Sequence, residues 1–180
     1  MNNNYYTKFI DFFKTLGLYN EIIFKYIYEN TERFSYYDEE KMNIRGFYPI
    51  FFKKKELIGF KLYLPFIENE ITAFMNIRPY IQAIHAYTKI GTKYKTNAES
   101  EMLAMYYEKL YLNQNPNEQI KDELNMIYTK IREKNTKKKY RIALNAQQEL
   151  EEFCKKESPD FDKLKRKARN LTKKYSKGTR

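Results

Sequence analysis

Tryptophan is absent from this chain, and cysteine and histidine occur once each, as Cys154 and His85. One cysteine excludes an intramolecular disulfide and any CxxC pair, and in the helical setting LEEFCKK it reads as a half-buried packing residue. One histidine leaves any Ser-His-Asp arrangement or metal site dependent on a single imidazole. Glycine and proline number five each, and no Gly-rich phosphate loop is present. No apolar run approaches the roughly 20 residues that a membrane span requires. The first residues, MNNNYYTKFIDFF, lack the basic region and small-residue cleavage site of a secretory leader. A cytoplasmic protein without a transmembrane segment is the expectation.

Ring and charge are what the chain has in quantity. Its 180 residues include 18 Tyr and 13 Phe, enough to build a core in one domain. The net charge of +11 is uneven: residues 1–120 carry 15 Lys and Arg against 14 Asp and Glu, whereas residues 121–180 carry 19 against 9. From Lys163 to Arg180 there are nine basic residues and no acid, so this end attracts polyanions.

Taken in order, Tyr6, Phe9, Ile10, Phe13 and Leu16 recur at helical spacing, with Gly17 placed to end the helix. Ile22, Ile23, Tyr26 and Ile27 mark a second helix. Segments 47–52 and 57–64 are aromatic and β-branched and are joined by a polar connection, the pattern of a β-hairpin, with Pro49 marking the first strand as an edge or as interrupted. Ile71, Phe74, Ile77, Ile81 and Ile84 then follow one helical face through Pro79, which favours a continuous but bent central helix over 69–90, with two helices and Pro79 at N1 of the second as the alternative. Asn97 is an N-cap candidate for a helix from Ala98 to about Leu112. The run NQNPN at 113–117 is a strong break. Beyond it, Ile120, Leu124, Ile127 and Ile131 mark a helix, Ile142, Leu144, Leu150 and Phe153 another, and Ser158-Pro159 is read as the start of a last one.

Arg78, Gln82, His85 and Lys89 form a polar stripe on a second face of the central helix. The segment NEITAFMNIRPYIQAIHAYTKIG, preceded by the hairpin and followed by a Glu-bearing helix, resembles small zincin-type metallopeptidases whose motif helix reads like NIHEYxHA. Asn76, Ile77, Tyr80 and Ala83 keep their places. Arg78 stands where the first histidine would be, Pro79 replaces the glutamate and Gln82 the second histidine. The resemblance covers about residues 47–112 and implies a scaffold whose zinc ligands and general base are replaced. Arginine has no lone pair for a dication, glutamine offers a neutral oxygen and proline no acceptor at all. No metal and no cofactor is therefore expected. Glu99, Glu101 and Glu108 lie where the resemblance implies a downstream carboxylate ligand, and a bidentate Arg78–Glu101 ion pair in place of the metal is one expectation. A Glu101 facing water on an ordinary helix is the other. His85 and Glu101 are the catalytic candidates of a remodelled centre, although a lone helical histidine is more often packed or hydrogen-bonded.

The second candidate surface is the basic tail. Lys163, Lys165, Arg166, Lys167, Arg169, Lys173 and Lys174, together with the cluster 137–141, are candidates for phosphate contacts, against the plainer reading of a solvated helix face. The fold class expected is α+β and mostly helical, with a small antiparallel sheet or hairpin packed beside a central motif helix. Residues 1–115 would form a zincin-like core and 116–180 a basic helical C-terminal extension. Three functions fit the residues: a non-catalytic zincin-like domain that binds a protein or peptide partner, a nucleic-acid-binding accessory protein acting through the basic tail, and a hydrolase with a remodelled His85 and Glu101 centre.

Overall fold

A computed structural model describes residues 4–24, 35–38, 43–52, 56–65, 67–87, 97–133 and 136–177, with side chains described except in the strands and at Ile22, Ala86 and Tyr87. The chain divides into two compact units, Met1–Lys95 and Thr96–Arg180. The break expected at 113–117 therefore falls inside the second unit. Among the described residues no helix is long and apolar enough to cross a membrane.

The fold class expected from the sequence is corrected. The protein is mostly helical. Strand backbone is confined to β1 (Ser35–Asp38), β2 (Asn43–Phe52) and β3 (Glu56–Pro65), an antiparallel ladder in the order β1-β2-β3 instead of a two-stranded hairpin. The physical reason is length: the helix-period segments outrun the strand-like ones. β2 is the middle strand, yet its register with β1 spans only Asn43 to Gly46, so Pro49, opposite Gly59 of β3, sits where one side of the ladder is open.

In the first unit, α1 (Asn4–Thr15) buries Phe9, Phe12 and Phe13. It ends as its sequence predicts. Gly17 adopts φ 68°, Gly17 N–H bonds the Lys14 carbonyl at 3.0 Å and Leu18 N–H the Phe13 carbonyl at 2.8 Å, a paired closure that needs a residue without Cβ strain. α2 (Glu21–Phe24) is short; Tyr26 and Ile27, expected on its apolar face, lie outside the described residues.

The bent central helix is the second correction. Two helices, α3 (Glu70–Met75) and α4 (Ile77–Tyr87), meet at Asn76, and Pro79 sits in the first turn of α4. There its missing N–H would have had no intrahelical acceptor, so the proline is tolerated. Asn69 and Thr72 form a capping box at the start of α3.

The second unit is built on α5 (Ala98–Gln114), with Asn97 as the N-cap that the sequence predicts and Ser100 completing a capping box. Ala98, Ser100, Met102, Leu103, Ala104, Met105, Tyr107 and Tyr111 are buried on all sides of it, the mark of a central helix. Around it stand α6 (Glu118–Arg132), α7 (Lys138–Asn145), α8 (Gln147–Glu157) and α9 (Phe161–Ser176). α7 and α8 meet at Ala146, so the single pattern expected there is two helices. In α6, Tyr128 takes the buried place and Ile127 is 49% exposed, which corrects the expected stripe. Ser158 does not cap α9: it closes α8 in the left-handed region at φ 42°, and the Asp160 side chain accepts from Lys163 N–H at 2.8 Å. A carboxylate at a helix N-terminus gains from the helix dipole as well as from the hydrogen bond.

Candidate functional site

Arg78, Gln82 and His85 do fall on one flank of α4, as residues spaced by four and three must, and Lys89 lies outside the described residues. The flank is not an open cleft. His85 is wholly buried, Gln82 is nearly so, Pro79 is buried and Arg78 is half-buried, so the candidate general base occupies a core position, the packed alternative for a lone helical histidine. On the far side of the helix Tyr80 enters an aromatic cluster, with ring centroids 4.2 Å from Phe13, 6.0 Å from Phe9 and 6.2 Å from Phe24. A helix covered on both flanks in this way is a packing element.

Glu99, Glu101 and Glu108 belong to the second unit, and all three are buried in α5. The expectation that Glu101 faces water is corrected: it is 2% exposed, with Lys139 Nζ 3.8 Å from its carboxylate. Glu99 faces α9, where Arg169 Nε stands 3.5 Å from Oε2. Buried carboxylates need such partners, because an unpaired charge in a low-dielectric interior is costly. Among the described residues no group of three or more His, Cys, Asp and Glu side chains is arranged to hold a metal ion.

The basic candidates sort by partner. On α9 the stripe Leu164, Ala168 and Leu171 is buried, which fixes the opposite pole in solvent. The cations on its flanks are matched: Lys163 to Glu157 at 3.4 Å, Lys165 to Asp162 at 3.1 Å, Lys167 to Glu149 at 4.0 Å and Lys174 to Glu149 at 2.9 Å. Glu149 is the hub, and it also accepts from the Tyr175 hydroxyl at 3.0 Å. The hydrogen bond from Lys174 holds the Glu149 carboxyl below its usual range, and the same contact raises Lys174. At the outward pole, Arg166, Lys173 and Lys177 are exposed and have no acidic partner among the described residues. In the cluster 137–141, Lys137 and Lys138 are exposed, Lys139 meets Glu101, and Arg141 is half-buried.

Sequence reading named the α9 cations as one group and could not divide them, because the acids that neutralise half of them sit on α5 and α8. Glu149 went unnoticed for the same reason. Comparison with protein-family models, with curated proteins and with solved structures gives no match.

Proposed function

We propose that this is a non-catalytic nucleic-acid-binding protein whose second unit lays the outward pole of α9 along a phosphate backbone. One observation carries this: Arg166, Lys173 and Lys177 form a line of exposed cations that make no ion pair among the described residues, while the flanking cations are matched. At 1.5 Å of rise per residue the line extends about 16 Å, enough to meet more than one phosphate. Lysine and arginine on a rigid helix position a backbone without reading bases, so binding is expected to be independent of sequence. A membrane surface fits less well, because the apolar stripe of α9 is committed to packing and none is left to insert. Such binding needs a compartment that holds nucleic acid, and the cytoplasm is the one proposed.

Fluorescence anisotropy with single-stranded RNA and duplex DNA across a salt series tests it. Affinity should fall steeply with salt, and Arg166→Glu with Lys173→Glu and Lys177→Glu should weaken binding more than about tenfold and flatten the salt slope by about three. Unchanged affinity in that variant, or binding to anionic vesicles alone, overturns the proposal.

A second reading, a zincin-like scaffold that has lost its metal and binds a protein or peptide partner, draws support from Arg78, Gln82 and His85 sharing one flank of α4. Restoring the motif with Arg78→His, Pro79→Glu and Gln82→His tests it through zinc content. Stoichiometric zinc gained by a variant of unchanged helicity supports the inherited scaffold, and its absence removes that reading.

A further inference from the structure

Between the C-terminal half of α5, the N-terminal half of α6 and the C-terminal half of α8 the second unit opens a groove of about 580 Å³. That volume suits a small molecule and not a macromolecule. Its walls combine apolar side chains, Leu110 and Leu124 among them, with Lys109, Lys121 and Lys155. Glu118 and Glu151 are the acids of the lining, so the groove carries one positive charge in excess. Lys109 is committed, with Nζ 3.0 Å from Glu151 and 5.4 Å above the Tyr128 ring. Lys121 on α6 and Lys155 on α8 both line it, exposed and without an ion-pair partner among the described residues.

We propose that this groove binds an amphipathic organic monoanion, a single carboxylate on an aliphatic body, with the carboxylate between Lys121 and Lys155 and the body along Leu110 and Leu124. With Lys109 paired to Glu151, Lys121 and Lys155 stand against Glu118, and this net single positive charge favours a monoanion over a phosphate monoester, whose second negative charge would leave the lining with an excess of anion. A stacked nucleobase is disfavoured because Lys109 already covers the Tyr128 ring. The groove lies apart from the α9 pole, so the two sites can fail separately.

Cys154, the one cysteine of the chain, lines the groove and reports on it. Burial pushes its thiol up, only partly opposed by Tyr106, so it should alkylate slowly when the groove is empty. The experiment follows iodoacetamide alkylation of Cys154 by mass spectrometry, with decanoate, decanol or decylammonium present below micelle-forming concentrations. Decanoate should slow the reaction, decanol less, and decylammonium not at all. Lys121→Glu combined with Lys155→Glu should weaken decanoate protection about tenfold with helicity unchanged. Equal protection by decylammonium, no protection by decanoate, or protection that survives the lysine changes overturns the assignment.

Discussion

The Tyr80 hydroxyl donates a hydrogen bond of 3.0 Å to the Leu18 carbonyl and accepts one of 2.9 Å from the Asn20 amide. It thereby fastens α4 to the turn that follows α1, where the chain has just reversed at Gly17. Burial, partly opposed by the Asn20 amide, pushes its pKa up to about 12 from an ordinary 10.0. Tyr80→Phe leaves a buried carbonyl and an amide without this partner and should cost about 1–3 kcal/mol. The sign with pH follows from the raised value: the stabilisation is complete below pH 10 and is lost as pH rises towards 12, because the unfolded chain releases the proton first. Thermal midpoints should fall less steeply over that window in Tyr80→Phe than in the parent, and parallel curves would refute the assignment.

Gly17 sits at φ 68° with open space where a Cβ would be. Strain in the backbone and not crowding therefore decides the effect of Gly17→Ala, which should destabilise by about 1 kcal/mol. A chemical denaturation midpoint that does not move, or that rises, would contradict this.

Gln147, 3% exposed, donates from Nε2 to the Met102 carbonyl at 3.0 Å and to the Ala143 carbonyl at 3.2 Å, joining α8 to α5 and α7. Its Oε1 has no hydrogen-bond partner among the described residues. Gln147→Leu removes that oxygen along with the donor, whereas Gln147→Ala also leaves a void. Gln147→Ala should cost about 2 kcal/mol and Gln147→Leu clearly less. Urea melts with equal slopes check the order, and the reverse order would show that a leucine does not fit the space that Gln147 fills.

Glu149 holds Lys174, Tyr175 and, more loosely, Lys167. Its lowered pKa means that the stabilisation is present above the ordinary carboxylate value and is lost as pH falls through the folded one. Glu149→Gln should flatten the acid side of the stability profile by a small amount that shrinks further in salt, since these groups face water. The same change frees Lys167 and Lys174 and should tighten nucleic-acid binding; weaker binding would show that the hub orders α9 for its ligand.

Local chemistry made much of the fold legible. Gly17 as a helix end, Asn97 as an N-cap and the break at 113–117 each follow from the conformation one residue prefers, and each is where the chain puts it. Errors came where two local signals competed. Asp160 outranked Ser158 as a cap, and the apolar period that ran unbroken through Pro79 hid the junction at Asn76, because periodicity reports which face is buried and not whether the backbone is continuous.

Composition by itself determined that the C-terminal third is strongly basic, that one cysteine and one histidine limit the available chemistry, and that most of the chain is helical in pattern. Tertiary structure alone decided which charges remain available. Glu149 and Glu99 reach α9 from other helices and neutralise its flanks, and His85 and Glu101 are drawn into interiors where their side chains cannot meet solvent. The reason is physical: spacing along a helix fixes the direction in which a side chain leaves it, while only the packing of other helices fixes what stands there to meet it.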